Sequence, residues 1–153
     1  MNASFQLYEG TKPYIFISYS HNDNILAHSL VEALRSAGYR IWYDIGMQAG
    51  IKWANSLAEH IAGCSVFMPL ISAAFADSTY CHDEITYALT KKRVILPVYL
   101  ERNVALPPGL EMTLYRFRSL RYQDADTFAL MLDAESGCAS CKDTPETLSE
   151  EAS

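Results

Sequence analysis

Cys64-Ser-Val-Phe-Met-Pro-Leu-Ile71 is the most continuous apolar run in the chain. A half-exposed strand alternates apolar and polar residues; this one does not, so it belongs in the middle of a sheet covered on both faces. Pro69 lacks a ladder donor, which places it near the strand's end. Upstream, Tyr14-Ile-Phe-Ile-Ser-Tyr-Ser20 has the same two-faced apolar character, and residues 39–43 read as a second, shorter strand. Downstream, Arg93-Val-Ile-Leu-Pro-Val-Tyr99 is a fourth strand and residues 115–120 a weak fifth. Between them, apolar residues recur at helical spacing. Leu26, Ala27, Leu30, Val31 and Leu34 form one stripe, capped by Asn22 or Asp23 and closed by Gly38. Ala54, Leu57, Ala58 and Ile61 form another, ending at Gly63; Cys81, Ile85 and Leu89 mark a helix over 79–92, and a last short helix covers 124–132. Residues 72–78 read as a loop or short turn, and Pro107-Pro108-Gly109 as a break. Strands alternating with crossover helices define an α/β fold: a flavodoxin-like, doubly wound, five-stranded parallel sheet of order 2-1-3-4-5 with helices on both faces.

The 153 residues are half apolar and one-fifth charged, with 7 Gly and 6 Pro, which excludes a disordered or collagenous chain. The longest uncharged run, residues 61–76, falls short of the ~20 needed to span a bilayer. The first ten residues lack the basic-then-apolar layout of a signal peptide, so the expected location is cytoplasmic, away from membranes. Net charge is −6, and residues 134–153 carry five acids against Lys142 alone. The body shows no basic stripe, and Lys91-Lys92-Arg93 reads as a solvated helix end, so nucleic acid is not expected as a partner. Cys64 and Cys81 sit in apolar patterns and read as reduced core thiols. Cys138 and Cys141 form a lone CxxC without a second pair, and no metal site is expected. Residues 1–12 read as a polar leader, 13–133 as the domain and 134–153 as an acidic, flexible tail.

In such a sheet, ligands bind beyond the carboxyl ends of the strands near the switch in strand order. The loops there are Ser18-Tyr-Ser-His-Asn-Asp23, residues 44–53 and residues 72–80. The first has no glycine, which excludes a GxGxxG dinucleotide turn, and its His21, Asn22 and Asp23 suit an FMN phosphate poorly. There is no Walker A loop, no GxSxG elbow and no aspartate closing strand three for phosphoacceptance. His82, Asp83 and Glu84 are adjacent helical positions that point around a helix rather than at one metal. What survives is Tyr80-Cys-His-Asp-Glu84: residues four apart share a helix face, so Tyr80 and Glu84 project together at the site-forming edge. Glu84 is either a functional carboxylate or simply a favourable acid in an early helical turn. Trp53 either stacks on a flat ligand ring or anchors the second helix. Ser18 and Ser20, with Tyr19 between them, either bond a ligand or satisfy strand-end backbone. Asp44 either orients its loop or contacts ligand, Ser72 opens the third loop, and His21 and His82 read as solvent-exposed.

Four segments, FISYS (16–20), GYRIWYDIGMQAG (38–50), CSVFMPLIS (64–72) and STYCHDEITYAL (78–89) leading into VILPVYL (94–100), occur in an order and spacing that resemble a Toll/interleukin-1 receptor (TIR) domain of the bacterial, NAD-cleaving kind, covering residues 14–132. Two departures from the animal receptors stand out. Their Arg-Asp-Pro-Gly box is replaced by Asp44-Ile-Gly-Met-Gln-Ala-Gly50, and Tyr115-Arg-Phe117 stands near the place of their late Phe-Trp box. The resemblance makes Glu84 the catalytic glutamate, with Tyr80 replacing the family's tryptophan four residues earlier. It implies cleavage of the nicotinamide–ribose bond of NAD, as a substrate and with no resident cofactor. Ser18, Tyr19, Ser20, Asp44, Trp53, Ser72 and Tyr80 are then the substrate-binding set. It further implies assembly with other TIR protomers through the loop bearing Gly46, Met47, Gly50 and Ile51, and a separate sensor or effector protein in an antiviral defence system. Two other readings are a non-catalytic TIR interaction module and a nucleoside deoxyribosyltransferase, which also joins a similar sheet to a glutamate.

Overall fold

The computed structural model describes residues 8, 10–44 and 51–143. Four short parallel strands carry its framework: β1 (Ile15–Ser18), β2 (Ile41–Tyr43), β3 (Val66–Ile71) and a fourth split into β4 (Val94–Ile95) and β5 (Val98–Tyr99). The fifth, β6, is reduced to Leu120–Arg121, shorter than the expected 115–120. The sheet runs β2-β1-β3-β5-β6, with β4 also on β3, so the expected order holds with one strand divided. Both pieces keep the same offset to β3, Phe67 opposite Ile95 and Leu70 opposite Val98, which sets Pro97 opposite Pro69. Pro69 thus lies inside β3 rather than near its end. Its missing donor is tolerated because the neighbouring strand lapses at the facing proline.

Helices α1 (Asn24–Ser36), α2 (Ile51–Gly63), α3 (Ala73–Asp77), α4 (Thr79–Thr90), α5 (Pro108–Leu114) and α6 (Ala125–Asp133) flank the sheet. The segment expected as a loop over 72–78 contains α3, because Ser72 Oγ accepts from Phe75 N at 3.0 Å and caps it. The break expected at 107–109 instead starts α5, with Pro108 in its first turn, where the absent donor is harmless. Residues 51–53, expected in a loop, form the first turn of α2.

Period-two alternation divides the core. Ile15, Ile17, Ile41, Tyr43, Met68 and Leu70 face α1 and α6, while Phe16, Trp42, Phe67 and Ile71 face α2, α4 and α5. Phe16 stacks between Trp42 and Phe67 at centroid distances of 5.2 and 5.4 Å. These strands are apolar throughout because both faces are covered.

The tail expected to be flexible from residue 134 is docked as far as 143. A 3-10 turn (Ser136–Cys141) buries Cys138 and Cys141 in the α1–α6 layer, and Lys142 bridges Tyr39 in antiparallel fashion. Arg40, itself buried, gathers this strap: Nε donates to Pro13 O at 2.7 Å, Nη2 to Ser140 O at 2.5 Å, and Nη1 pairs with Asp143. Gly38 turns the chain at φ +101° beside it, and its carbonyl accepts Asp143 N at 2.8 Å. Acidic composition hid two core cysteines and the partner of a buried guanidinium.

Candidate active site

Beyond the carboxyl edge of the sheet, three strand ends and one helix converge. Ser78 Oγ accepts from Cys81 N at 3.2 Å and fixes where α4 begins. Tyr80 and Glu84 then sit one turn apart on its site-facing side. Glu84 is buried at 5% exposure, and Ser18, the last residue of β1, donates Oγ–H to its Oε1 at 2.5 Å. Its second oxygen, Oε2, takes no hydrogen bond among the described residues.

Burial dominates the electrostatics. Withdrawal from water pushes the Glu84 carboxyl up to about 8, opposed by the Ser18 bond and the nearby Tyr80 hydroxyl and reinforced by the charge of Asp44. At neutral pH this environment therefore favours the protonated form of Glu84. Approach of a cation reverses the balance and favours the carboxylate.

Asp44, directly after β2, is buried and acts as a hub. Its Oδ2 accepts Tyr80 Oη–H at 2.6 Å, and its backbone carbonyl accepts Tyr19 Oη–H at 2.7 Å. Tyr80 remains 43% exposed although its hydroxyl is anchored. Burial also raises the Tyr19 phenol well above its usual range, which keeps it a donor.

Of the expected site residues, five meet at this edge in two hydrogen-bonded groups, Ser18 with Glu84 and Asp44 with Tyr19 and Tyr80. Ser20 is spent locally, accepting Asn22 N at 3.3 Å. Ser72 is buried between its own helix cap and Asp23, to whose Oδ2 it donates at 2.5 Å. Asp23 consequently makes no side-chain cap on α1. Gly46, Met47 and Gly50, with the side chains of Ile51 and Trp53, lie outside the described residues.

Two residues gained a role that spacing alone did not show. His21, expected to face solvent, is half-exposed with Nε2 3.6 Å from Asp44 Oδ2, and its ring lies 5.3 Å from Tyr19 and 6.2 Å from Tyr80. His82, likewise expected in solvent, is half-buried, with Nε2 2.8 Å from Ala76 O. The His21 signal was its place three residues past Ser18 in the first site loop.

Among the described residues no group of three His, Cys, Asp or Glu side chains could hold a metal, and no helix is long and apolar enough to cross a membrane. A separate open cleft of about 480 Å³ lies beyond β5 between Tyr99, Arg102, Glu111 and Tyr115; none of the residues of those two groups lines it.

Two buried carboxyls, Asp44 and Glu84, thus lie beyond the strand-order switch of a doubly wound sheet, the edge where open α/β sheets bind their ligands. The chain belongs to the TIR domain family, whose model matches residues 15–132. It is 24% identical over 136 residues to the probable 2' cyclic ADP-D-ribose synthase BdTIR of Brachypodium distachyon, covering 80% of this chain and 61% of that one. Uncharacterized protein y4lF of Sinorhizobium fredii is 30% identical over 97 residues, covering 58% of this chain and 30% of its own length. The chain thus spans less than two thirds of either relative. In fold, it is similar to the TIR domain of the Toll-related receptor TRR-2 of Hydra magnipapillata, at TM-score 0.61 and 21% identity, covering 78% and 91% of the two chains.

Proposed function

We propose that this TIR domain cleaves the nicotinamide–ribose bond of NAD, releasing linear or cyclic ADP-ribose, with Glu84 as the catalytic carboxylate. The observation that carries this reading is the buried Glu84 carboxyl, bonded to Ser18 through one oxygen and unpartnered at the other among the described residues. A likeness to a probable cyclic ADP-ribose synthase supports the substrate class.

Little else is required of the protein. Nicotinamide leaves from a pyridinium and departs neutral, so no general acid must protonate it. The remaining task is to stabilise the ribosyl cation, and a fixed carboxylate shielded from water does so far better than one in solvent. The substrate brings a positive charge next to Glu84, which converts the protonated resting carboxyl into the carboxylate the transition state needs. Ser18 holds Oε1 and leaves Oε2 for the ribose. Tyr80, pinned by Asp44, presents its ring for stacking on a flat base.

Tyr80 and His21 are about half-exposed, so the site needs a cover that excludes water. The loop bearing Gly46, Met47, Gly50 and Ile51, laid against a second protomer, would supply it. Activity switched on by self-assembly suits an effector of antiviral defence in the cytoplasm, recruited by a separate sensor.

Incubation of the purified protein with NAD, with products resolved by mass, tests the reading. Glu84→Gln keeps shape and removes charge, and the expected loss is of order 10²–10³ in rate. Full activity in that variant removes Glu84 from catalysis. A wild type inert in every assembly state leaves the interaction-module reading in its place.

A further inference from the structure

Resting on the NAD-cleaving reading, we infer that His21 is the general base that takes the proton from an oxygen acceptor as it captures the ribosyl cation. Three groups, each from a different element, surround its ring. Asp44, at the end of β2, holds Nε2 at 3.6 Å; Tyr19, at the end of β1, packs edge-on at 5.3 Å; and Tyr80, on α4, lies at 6.2 Å. Asp44 is itself fixed by the Tyr80 hydroxyl at 2.6 Å. Tyr80, Asp44 and His21 thus form a relay in which a buried carboxylate orients an imidazole at the site mouth.

At 3.6 Å the His21–Asp44 approach is longer than a hydrogen bond, and it becomes an ion pair once the imidazole takes a proton. Nδ1 takes no hydrogen bond among the described residues, and the side chain is 49% exposed, so an acceptor can reach it. Glu84 cannot fill this post at the same moment, since its negative charge is committed to the cation.

The step balances without any further reactant. The C1′–N bond breaks and its electron pair stays on the nicotinamide nitrogen. A lone pair of water or an alcohol forms the C1′–O bond, and the acceptor's proton passes to His21 and then to bulk water. The imidazolium formed on the way is stabilised by Asp44.

Capture by an oxygen acceptor needs this proton transfer, whereas recapture by nicotinamide does not. Wild type and His21→Ala are therefore incubated with NAD, labelled nicotinamide and methanol. Label exchange into NAD and the formation of ADP-ribose plus methyl ADP-ribose are read from one reaction. The expected result is a fall of at least about tenfold in oxygen-captured product relative to exchange, partly restored by added imidazole. An unmoved ratio, or a wild type that exchanges without giving oxygen-captured product, overturns the role of His21 alone. A wild type showing neither exchange nor product overturns the NAD-cleaving reading, and the role of His21 falls with it.

Discussion

Glu84→Gln should make the protein more stable, and by an amount that grows with pH. In the native state the carboxyl titrates at about 8 rather than at its ordinary 4.5 because it is withdrawn from water. Between those values the unfolded chain has released the proton and the native chain still holds it. More protons bound in the native state means that stability falls as pH rises. The loss begins near pH 4.5, runs at about 1.4 kcal/mol per pH unit, and levels off above about 8 at roughly 5 kcal/mol. Glutamine carries no titrating proton and its carbonyl can still accept from Ser18 Oγ, so the variant escapes this loss. Urea denaturation of both proteins at pH 5.5 and 7.5 would read it directly. The stability difference should widen in favour of the variant by about 3 kcal/mol over those two units. Comparing the two pH values cancels any constant effect of the substitution on packing. A difference that stays flat with pH would show that Glu84 ionises at an ordinary value, and the account of a protonated resting site would be refuted.

Two further outcomes follow from the strap and the assembly loop. Deleting residues 134–153, or replacing Arg40 with Ala, should cost about 3–5 kcal/mol and lower the thermal midpoint by roughly 10 °C, because two core cysteines or a buried ion-pair hub are lost; a shift of a degree or two would mean the strap contributes nothing. Specific activity should rise with protein concentration, and Met47→Asp or Ile51→Asp should abolish activity while leaving the monomer's thermal midpoint within about 2 °C. Activity that is flat on dilution to a monomer verified by light scattering would dismiss a shared site.

What was legible in the sequence was whatever a local pattern encodes. β1 and β3 announced themselves because a strand covered on both faces has no polar alternation, and α1, α2 and α4 because an apolar stripe recurs every three to four residues. Glu84 and Tyr80 were legible for the same reason, since four residues along a helix is one face. Features decided at a distance were not. Asp44 meets Tyr80 36 positions on and His21 23 positions back, so nothing near any of the three showed that they come together. Arg40 finds Asp143 103 positions away, and the acidic run around that partner read as solvated. At α5, Pro107-Pro108-Gly109 misled because proline ends one helix and opens another with equal ease.

Arg40 also determines where the domain can be tethered. It stands just ahead of β2 and grips Pro13, just ahead of β1, together with Asp143 beyond the last turn. The incoming and outgoing chain therefore meet at the amino-terminal pole of the sheet. Ser18, Asp44 and Glu84 occupy the opposite pole, about 13 Å away along the four residues of β1. A reporter or carrier joined directly before Pro13 or after Asp143 would attach at that pole, away from the carboxyl edge. Protomers strung on such linkers can turn their sites toward one another, so a tandem fusion with a generous spacer offers a way to set local concentration without touching a residue of the site.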